Sequence, residues 1–315
     1  MPNSSPSAAP ALPRVTVLLA THNGARWLDE QLDTILAQQG VEVRVVALDD
    51  ASTDDTVSLL HARAAADARV TVLELEGVAG GAAANFYRLL RAVDLADAGL
   101  VAFADQDDIW LPGKLARHAD LVAAGNDGVS SDVTAFSETG PRSLVRKSYP
   151  QRAWDFLLES PGPGCTFLMS NRLATLAQQQ LAEPESAASR TDFHDWLLYV
   201  LCRSRGWSWH IDDVPSVDYR QHGSNAMGAN VGAASARRRL GLIRNRWHRG
   251  EATLLAQAGL AVATDQTRPG LETMLSLFER TGPAGRIGLL RRSGELRRRG
   301  RDRAIIGTLV ALGIW

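Results

Sequence analysis

Three carboxylates, Asp105, Asp107 and Asp108, stand at the end of an apolar run in Val101-Ala102-Phe103-Ala104-Asp105-Gln106-Asp107-Asp108-Ile109-Trp110. Acids placed where a buried strand ends are costly unless their charge is compensated. Hard oxygen ligands at such a point suit Mg²⁺ or Mn²⁺, and a bound cation of that kind neutralises phosphate. Alone, an Asp-x-Asp turn reads equally well as a solvated acidic turn. Two other apolar runs end the same way: residues 14–20 in Thr21-His22-Asn23-Gly24, and residues 41–48 in Asp49-Asp50-Ala51-Ser52-Thr53-Asp54. Later, Asp195 opens an apolar helix in His194-Asp195-Trp196, where the helix dipole lowers a carboxyl pKa and desolvation raises it. His222, in Tyr219-Arg220-Gln221-His222-Gly223, adds an imidazole.

The elements between these residues predict how they are placed. Residues 14–20 read as a buried strand, 26–39 as an amphipathic helix, and 41–48 as a second strand. A helix over 56–66, capped by residues 52–55, a strand over 70–74, a helix over 82–94 and a strand over 100–104 follow. Residues 77–84 form a glycine-rich loop, and 114–122 a further helix. Strand alternating with helix at this spacing implies an α/β fold, an open, mostly parallel sheet with helices on both faces. Ligands then sit at the carboxyl ends of the strands, where three polar ends converge. Beyond residue 125 the pattern loosens. Residues 129–136 read as a strand whose Ser/Asp content hints at a sheet edge, 154–158 and 172–181 as helices, 193–204 as an apolar helix, and 207–211 and 214–219 as two short strands. From 233 on, Arg and Leu recur at helical spacing, and glycines 250, 259, 270, 282 and 294 are expected to break this tail into short helices.

The 315 residues allow one large domain or two modest ones, and 34 Lys and Arg against 35 Asp and Glu leave no global field to attract nucleic acid. Cys165 and Cys202 have neither metal spacing nor a disulfide framework, which points to a reducing compartment. Residues 1–13 read as a disordered lead-in, and no stretch has the roughly 18 apolar residues that cross a bilayer.

Leu18-Leu19-Ala20-Thr21-His22-Asn23-Gly24, Asp49-Asp50-Ala51-Ser52-Thr53-Asp54, Phe103 through Trp110, His194-Asp195-Trp196 and Tyr219-Arg220-Gln221-His222-Gly223-Ser224-Asn225 match in order and spacing the motif set of the family 2 glycosyltransferases. The resemblance covers roughly residues 14–226. Asp-Gln-Asp-Asp-Ile-Trp with Tyr-Arg-Gln-His-Gly looks most like the rhamnosyltransferase-type members, which build bacterial cell-surface polysaccharide. It implies a GT-A-type domain over 14–232 with a helical, Arg-rich extension over 233–315. It also implies an inverting enzyme that moves a sugar, L-rhamnose, from a dTDP- or UDP-linked donor to a hydroxyl of a glycan or lipid-linked acceptor. By the same resemblance Thr21 and Asn23 line the nucleotide pocket, Asp49 or Asp50 accepts from the base, and Asn85 holds nucleotide or sugar. Asp105 approaches the ribose, and Asp107 with His222 holds Mg²⁺ or Mn²⁺ at the diphosphate. Arg220 pairs with phosphate or forms an ordinary salt bridge, and Asp195 is the base that deprotonates the acceptor. Asp108 and His194 are structural, and Cys165 sits in a packing turn.

Two other classes were weighed. A nucleotidyltransferase would want a Lys/Arg-bearing glycine loop after the first strand, where Thr21-His22-Asn23-Gly24-Ala25-Arg26 stands instead. A non-catalytic sugar-nucleotide or polysaccharide-binding module would not need both Asp107 and Asp195. No Gly-x-Gly-x-x-Gly follows the first strand, which disfavours a nicotinamide enzyme. The clusters Arg237-Arg238-Arg239, Arg291-Arg292 and Arg297-Arg298-Arg299 read either as solvated helix faces or as contacts to an anionic membrane. With them the apolar end 304–315 and its terminal Trp fit an interfacial segment. The expected location is cytoplasmic, peripheral on the inner face of the membrane. No nucleic-acid module is recognisable.

Overall fold

The computed structural model describes residues 11–138, 140–222 and 247–315. Most of the lead-in, Gly223-Ser224-Asn225 and Arg237-Arg238-Arg239 lie outside the described residues.

The chain begins as the alternation predicts. β1 (Arg14–Thr21), α1 (Leu28–Leu36), β2 (Glu42–Asp49), α2 (Thr56–Ala66), β3 (Val70–Val72), α3 (Ala82–Ala92) and β4 (Leu100–Ala104) form a parallel half-sheet in the order β3-β2-β1-β4. β1 is buried along almost its whole length because both faces are covered. Val15, Val17 and Leu19 meet one apolar cluster, with Leu28, Leu32 and Ile35 of α1 and Leu60 of α2. Leu18 and Ala20 meet the other, with Phe86, Leu89 and Leu90 of α3.

The second half of the sheet is mixed. β5 (Ile109–Trp110), α4 (Lys114–Ala123), β6 (Gly128–Phe136), β7 (Ser143–Val145), β8 (Leu168–Met169), α5 (Asn171–Leu181), α6 (His194–Ser204) and β9 (Trp209–Arg220) continue the order β4-β8-β6-β9-β5, with β7 beside β6. β8 runs antiparallel to β4 and β6, and β9 runs parallel to β6. Three local features differ from what the sequence suggests. β6 is interior rather than an edge, since its polar residues have partners inside: Ser131 shares a 2.6 Å hydrogen bond with Ser216, and Asp132 accepts from Lys147 N, Ser148 N and the Ser148 hydroxyl. β9 is one long strand, and a register shift against β6 absorbs its irregular middle. Glycines 250, 259 and 270 lie inside helices and do not break the tail, and the last two are places of close approach. A Cβ on Gly259 would meet Ser204 Oγ at 2.5 Å, and one on Gly270 would meet Trp154 at 2.3 Å.

α7 (Trp247–Val262) packs on α6, and α8 (Arg268–Glu279), α9 (Pro283–Arg292) and α10 (Gly300–Ala311) follow on from it, each against the next; all share one apolar cluster with α3, α5 and α6 that includes Leu255, Met274, Phe278, Leu289 and Val310. Trp315 is buried against Phe278, with ring centroids 5.6 Å apart, so this residue packs inward and is no interfacial anchor. Among the described residues no helix is long and apolar enough to cross a membrane.

Candidate active site

The register of the parallel half sets three strand ends side by side. Thr21 lies opposite Asp49, and Leu19 opposite Ala104, so the turns after β1, β2 and β4 share one rim. Thr21 Oγ1 donates to Asp49 Oδ1 at 2.8 Å, and Asp49 also accepts from Ser52 N at 2.7 Å and Ser52 Oγ at 2.6 Å. Asn23 adopts a positive φ of 50° and ties the β1 turn to the β2 turn: its N–H donates to Ser52 Oγ at 2.7 Å, and its Oδ1 accepts from Thr53 N at 2.8 Å. Asp50 is buried and accepts from the N–H groups of Ala79 and Gly80, with Arg88 at 3.4 Å. Its carboxylate therefore anchors the glycine loop to the rim. Asn85, on α3, donates to Leu48 O at 3.0 Å from beneath, and its Oδ1 finds no partner among the described residues. Asp49, Asp50, Asn23 and Asn85 thus shape the rim through bonds to the protein itself.

The β4–β5 turn carries the central acids, and β5 pairing with β9 explains how residues more than a hundred positions away reach them. Ile109 opposes Asp218, which sets Arg220 and His222 against the turn. Arg220 N donates to Asp108 Oδ1 at 3.0 Å, Arg220 Nε to Asp107 O at 2.8 Å, and Arg220 Nη2 to Glu30 Oε2 at 2.5 Å. These contacts brace the turn. His222 Nε2 lies 2.5 Å from Asp107 Oδ2, and its ring stacks on Trp27 with centroids 4.2 Å apart. Arg26, Trp27, Glu138, Arg220 and His222 help line a cleft of about 220 Å³.

Asp105 sits deeper. Burial first, then the charges of Asp107 and Asp195, raises its carboxyl pKa above the usual range. His194 of α6 lies with its ring centroid 5.4 Å from that of Phe103 on β4, which brings the neighbouring Asp195 to the same strand end. Burial raises Asp195 as well, offset by hydrogen bonds from Ser160 Oγ at 2.9 Å and Trp196 N at 2.8 Å and by the nearby Lys147 ammonium. His194 is packed against Phe86 and Phe103, and burial holds it down to about 3, so the ring is neutral. Asp108 is buried beside the Cys165 thiol, with Lys114 Nζ 3.7 Å from the Trp110 ring centre. Asp105, Asp108 and Cys165 also lie within 4.8 Å of one another, but Asp108 turns inward to the Arg220 amide, and its thiol neighbour is a soft ligand among hard ones. The donor set that fits Mg²⁺ or Mn²⁺ is the Asp107 carboxylate with the His222 imidazole, beside a carboxylate, Asp105, whose crowding a cation would relieve.

Two residues with no role assigned from the sequence matter here. Gln106 accepts from His22 N at 2.8 Å and donates to His22 O at 2.9 Å, which locks the β1 and β4 turns together. A Cβ on Gly24 would strike that side chain at 2.1 Å. The signal was present, a polar residue between two acids beside a glycine in the neighbouring turn. Ser160, the partner of Asp195, carried no such signal.

A mixed sheet with acidic strand ends, a His-braced carboxylate and a half-buried carboxylate from a following helix is the arrangement of a group-transferase type of site. The Glycosyl transferase family 2 profile matches residues 16–173, and the chain belongs to that family. It is 37% identical to dTDP-rhamnosyl transferase RfbG of Shigella flexneri over 242 residues, 76% of this chain and 84% of that protein. In fold it is similar to S. aureus TarS 1–349 in complex with UDP-GlcNAc, at a TM-score of 0.58 and 15% identity over 96% of this chain and 82% of that one. It is also similar to the mannosyltransferase PcManGT of Pyrobaculum calidifontis in complex with GDP-Man and Mn²⁺, at 0.50 and 20% over 99% and 89%.

Proposed function

We propose that the chain is an inverting glycosyltransferase of cell-surface polysaccharide biosynthesis, moving L-rhamnose from a dTDP-linked donor to a hydroxyl of a glycan or lipid-linked acceptor. The observation that supports this reading is the approach of α6 to the end of β4: His194 packs on Phe103, two residues before Asp105, which brings Asp195 toward the carboxylates of the β4–β5 turn, Asp105 and Asp107. The turn carboxylates suit the leaving diphosphate and Asp195 the attacking hydroxyl. The 37% identity to a dTDP-rhamnosyl transferase supports the donor.

Asp195, ionised, takes the acceptor proton as the acceptor oxygen bonds to the anomeric carbon. The bond from that carbon to the phosphate oxygen breaks, and the nucleoside diphosphate leaves with the electron pair. Attack opposite to the leaving group inverts the centre, so no covalent enzyme intermediate is needed. A carboxyl pKa raised by burial makes Asp195 a stronger base. Asp107 and His222 would hold Mg²⁺ or Mn²⁺, which when bound neutralises the developing charge on the diphosphate. Arg220 braces the turn that presents Asp107, and the rim made by Thr21, Asn23, Asp49 and Asp50 would receive the nucleotide. Residues 14–232 are read as the catalytic domain and 233–315 as its extension. Exposed Ile287, Ile305, Leu312 and Ile314, near exposed Arg291 and Arg301, support peripheral contact of that extension with an anionic membrane. Co-sedimentation with anionic but not neutral vesicles would test that contact.

The test of function is calorimetric titration of dTDP, UDP and their sugars with Mn²⁺ and with EDTA, followed by turnover of Asp195→Asn. Tightest binding of dTDP species, dependent on Mn²⁺ and weakened in Asp107→Ala, is the expected result. Wild-type turnover in Asp195→Asn would overturn the base assignment.

A further inference from the structure

The C-terminal helices hold the candidate base from two sides. On one side α7 lies across the approach to α6. Glu251 Oε1 accepts from Asp192 N at 2.9 Å, Trp247 Nε1 donates to Asp192 Oδ2 at 2.6 Å, and the Trp247 ring meets Phe193 edge-on at 5.6 Å. Asp192 and Phe193 immediately precede His194 and Asp195 in the chain.

On the other side the segment between α9 and α10 grips residues 158–160. Arg298, only 4% exposed, donates to Ser160 O at 2.6 Å and to Asp155 Oδ2 at 3.1 Å, and its guanidinium lies 3.5 Å from Glu159 Oε2. The Arg298 backbone N–H donates to Glu159, and Arg297 donates to Leu158 O. Neither arginine is a solvated face residue. The grip ends at Ser160, whose hydroxyl lies 2.9 Å from Asp195 Oδ2 and 2.5 Å from Gly162 O.

That geometry suits both protonation states of the base. A hydroxyl has one proton and can accept as well as donate. While Asp195 is ionised, Ser160 donates to it. Once Asp195 has taken the acceptor proton, its O–H can donate to Ser160 Oγ while Ser160 donates to Gly162 O. The half-buried carboxyl keeps a partner before and after the transfer. The other charged or titratable groups around Asp195 are Lys147 from the segment after β7, Asp105 from the β4–β5 turn, Tyr87 on α3 and Glu251 on α7.

We propose that the C-terminal helices are a positioning element for the transfer step. Arg298 through Ser160, and α7 through Asp192, fix the Asp195 carboxylate, so that the extension governs turnover rather than donor binding. This rests on reading Asp195 as the base. Asp155 keeps Arg203 at 3.5 Å and the Tyr199 hydroxyl at 2.9 Å when Arg298 is lost, so the network around it is not emptied by one substitution.

The experiment uses the full chain carrying Ser160→Ala, Arg298→Gln, Arg298→Lys or Asp195→Asn. Hydrolysis of dTDP-L-rhamnose, with water as acceptor, needs the same base and no known glycan; dTDP binding is titrated in parallel. Ser160→Ala and Arg298→Gln are expected to lower kcat about tenfold or more while KM and the dTDP affinity stay within about twofold. In Ser160→Ala the acid limb of the rate profile moves to higher pH, because a carboxylate that loses a donor is harder to ionise. Arg298→Lys restores part of the rate. A folded Ser160→Ala protein with wild-type kcat and an unmoved acid limb overturns the inference, as does a loss that lies wholly in dTDP binding. Should Arg298→Gln fail to fold, Ser160→Ala decides, since it removes a single oxygen. If Asp195→Asn is inactive and the positioning variants behave as wild type, only this inference fails; if Asp195→Asn turns over normally, the base reading fails with it.

Discussion

Glu251 should make the protein less stable in alkali than in mild acid, and Glu251→Gln should remove that dependence. The side chain is 3% exposed. Burial is the main cause that pushes its carboxyl from 4.5 up to about 7; the charges of Asp192 and Asp195 add to it, and the Asp192 N–H bond opposes it. Because the native pKa lies above the unfolded one, native protein holds a proton between these values that unfolded chain has lost. Its contribution to stability is therefore fully present below about pH 4.5, falls as pH rises through the window, and is lost above about 7. At ~1.36 kcal/mol per pH unit the full drop is about 3 kcal/mol.

Glutamine keeps an oxygen to accept the Asp192 N–H and carries no charge to bury. At pH 8 Glu251→Gln should be the more stable protein by up to about 3 kcal/mol, which is an apparent Tm gain of about 6 °C at ~2 °C per kcal/mol for a chain of this size. At pH 4.5 the two should melt together. Thermal denaturation of both proteins from pH 4.5 to 8 at constant ionic strength measures this. A Glu251→Gln protein that melts below wild type at pH 8, or a difference that does not change with pH, would refute the reasoning.

Three other outcomes follow from specific contacts. Gly270→Ala places a Cβ 2.3 Å from Trp154, so that the indole must move; a loss of about 1–3 kcal/mol in urea denaturation is expected, with dTDP binding unchanged. Asp50→Asn sets an amide against the N–H groups of Ala79 and Gly80 and deprives Arg88 of its charge partner; stability should fall by about 2 kcal/mol, read as a lower denaturation midpoint, and dTDP should bind more weakly by calorimetry. In Arg220→Lys a single ammonium replaces the fork that reaches both Asp107 O and Glu30, so dTDP affinity in Mn²⁺ should drop about tenfold, and more than it does in EDTA.

The parallel half of the fold was legible because each of its strands is an apolar run closed by a polar turn, and the pairing of Thr21 with Asp49 brings those turns together. The mixed half was harder to read because its interior is partly polar. Ser130, Ser131 and Asp132 look like edge residues by composition, yet they are buried with partners that only tertiary structure supplies. The glycines of the tail misled for a related reason. Gly259 and Gly270 are small because Ser204 and Trp154 press on them, and such packing leaves no mark in the local sequence. Among the candidate site residues, Asp107 and His222 lie 2.5 Å apart, whereas Asp49, Asp50 and Asn85 are occupied with the protein's own backbone and hydroxyls. Their position at the rim could be read from strand ends, but their hydrogen bonds could not.

The arginines of the tail show where composition stops being informative. By count they are basic residues after the recognisable motifs, and a solvated face or a membrane contact accounts for such a cluster. Arg297 and Arg298 instead reach Leu158, Glu159 and Ser160, one bond from the carboxylate proposed to accept the proton. A charge is costly to bury unless it is paired, so a buried Arg298 with carboxylate and carbonyl partners marks a place where the fold demands geometry. The turn proposed to serve the diphosphate is held within the sheet, by β5 pairing with β9. The carboxylate proposed to serve the acceptor is held also from outside it, by contacts of the C-terminal helices with Asp192 and with residues 158–160. Loss of those contacts should therefore leave a protein that still binds nucleotide and no longer transfers, a separation that truncation of a merely appended segment would not produce.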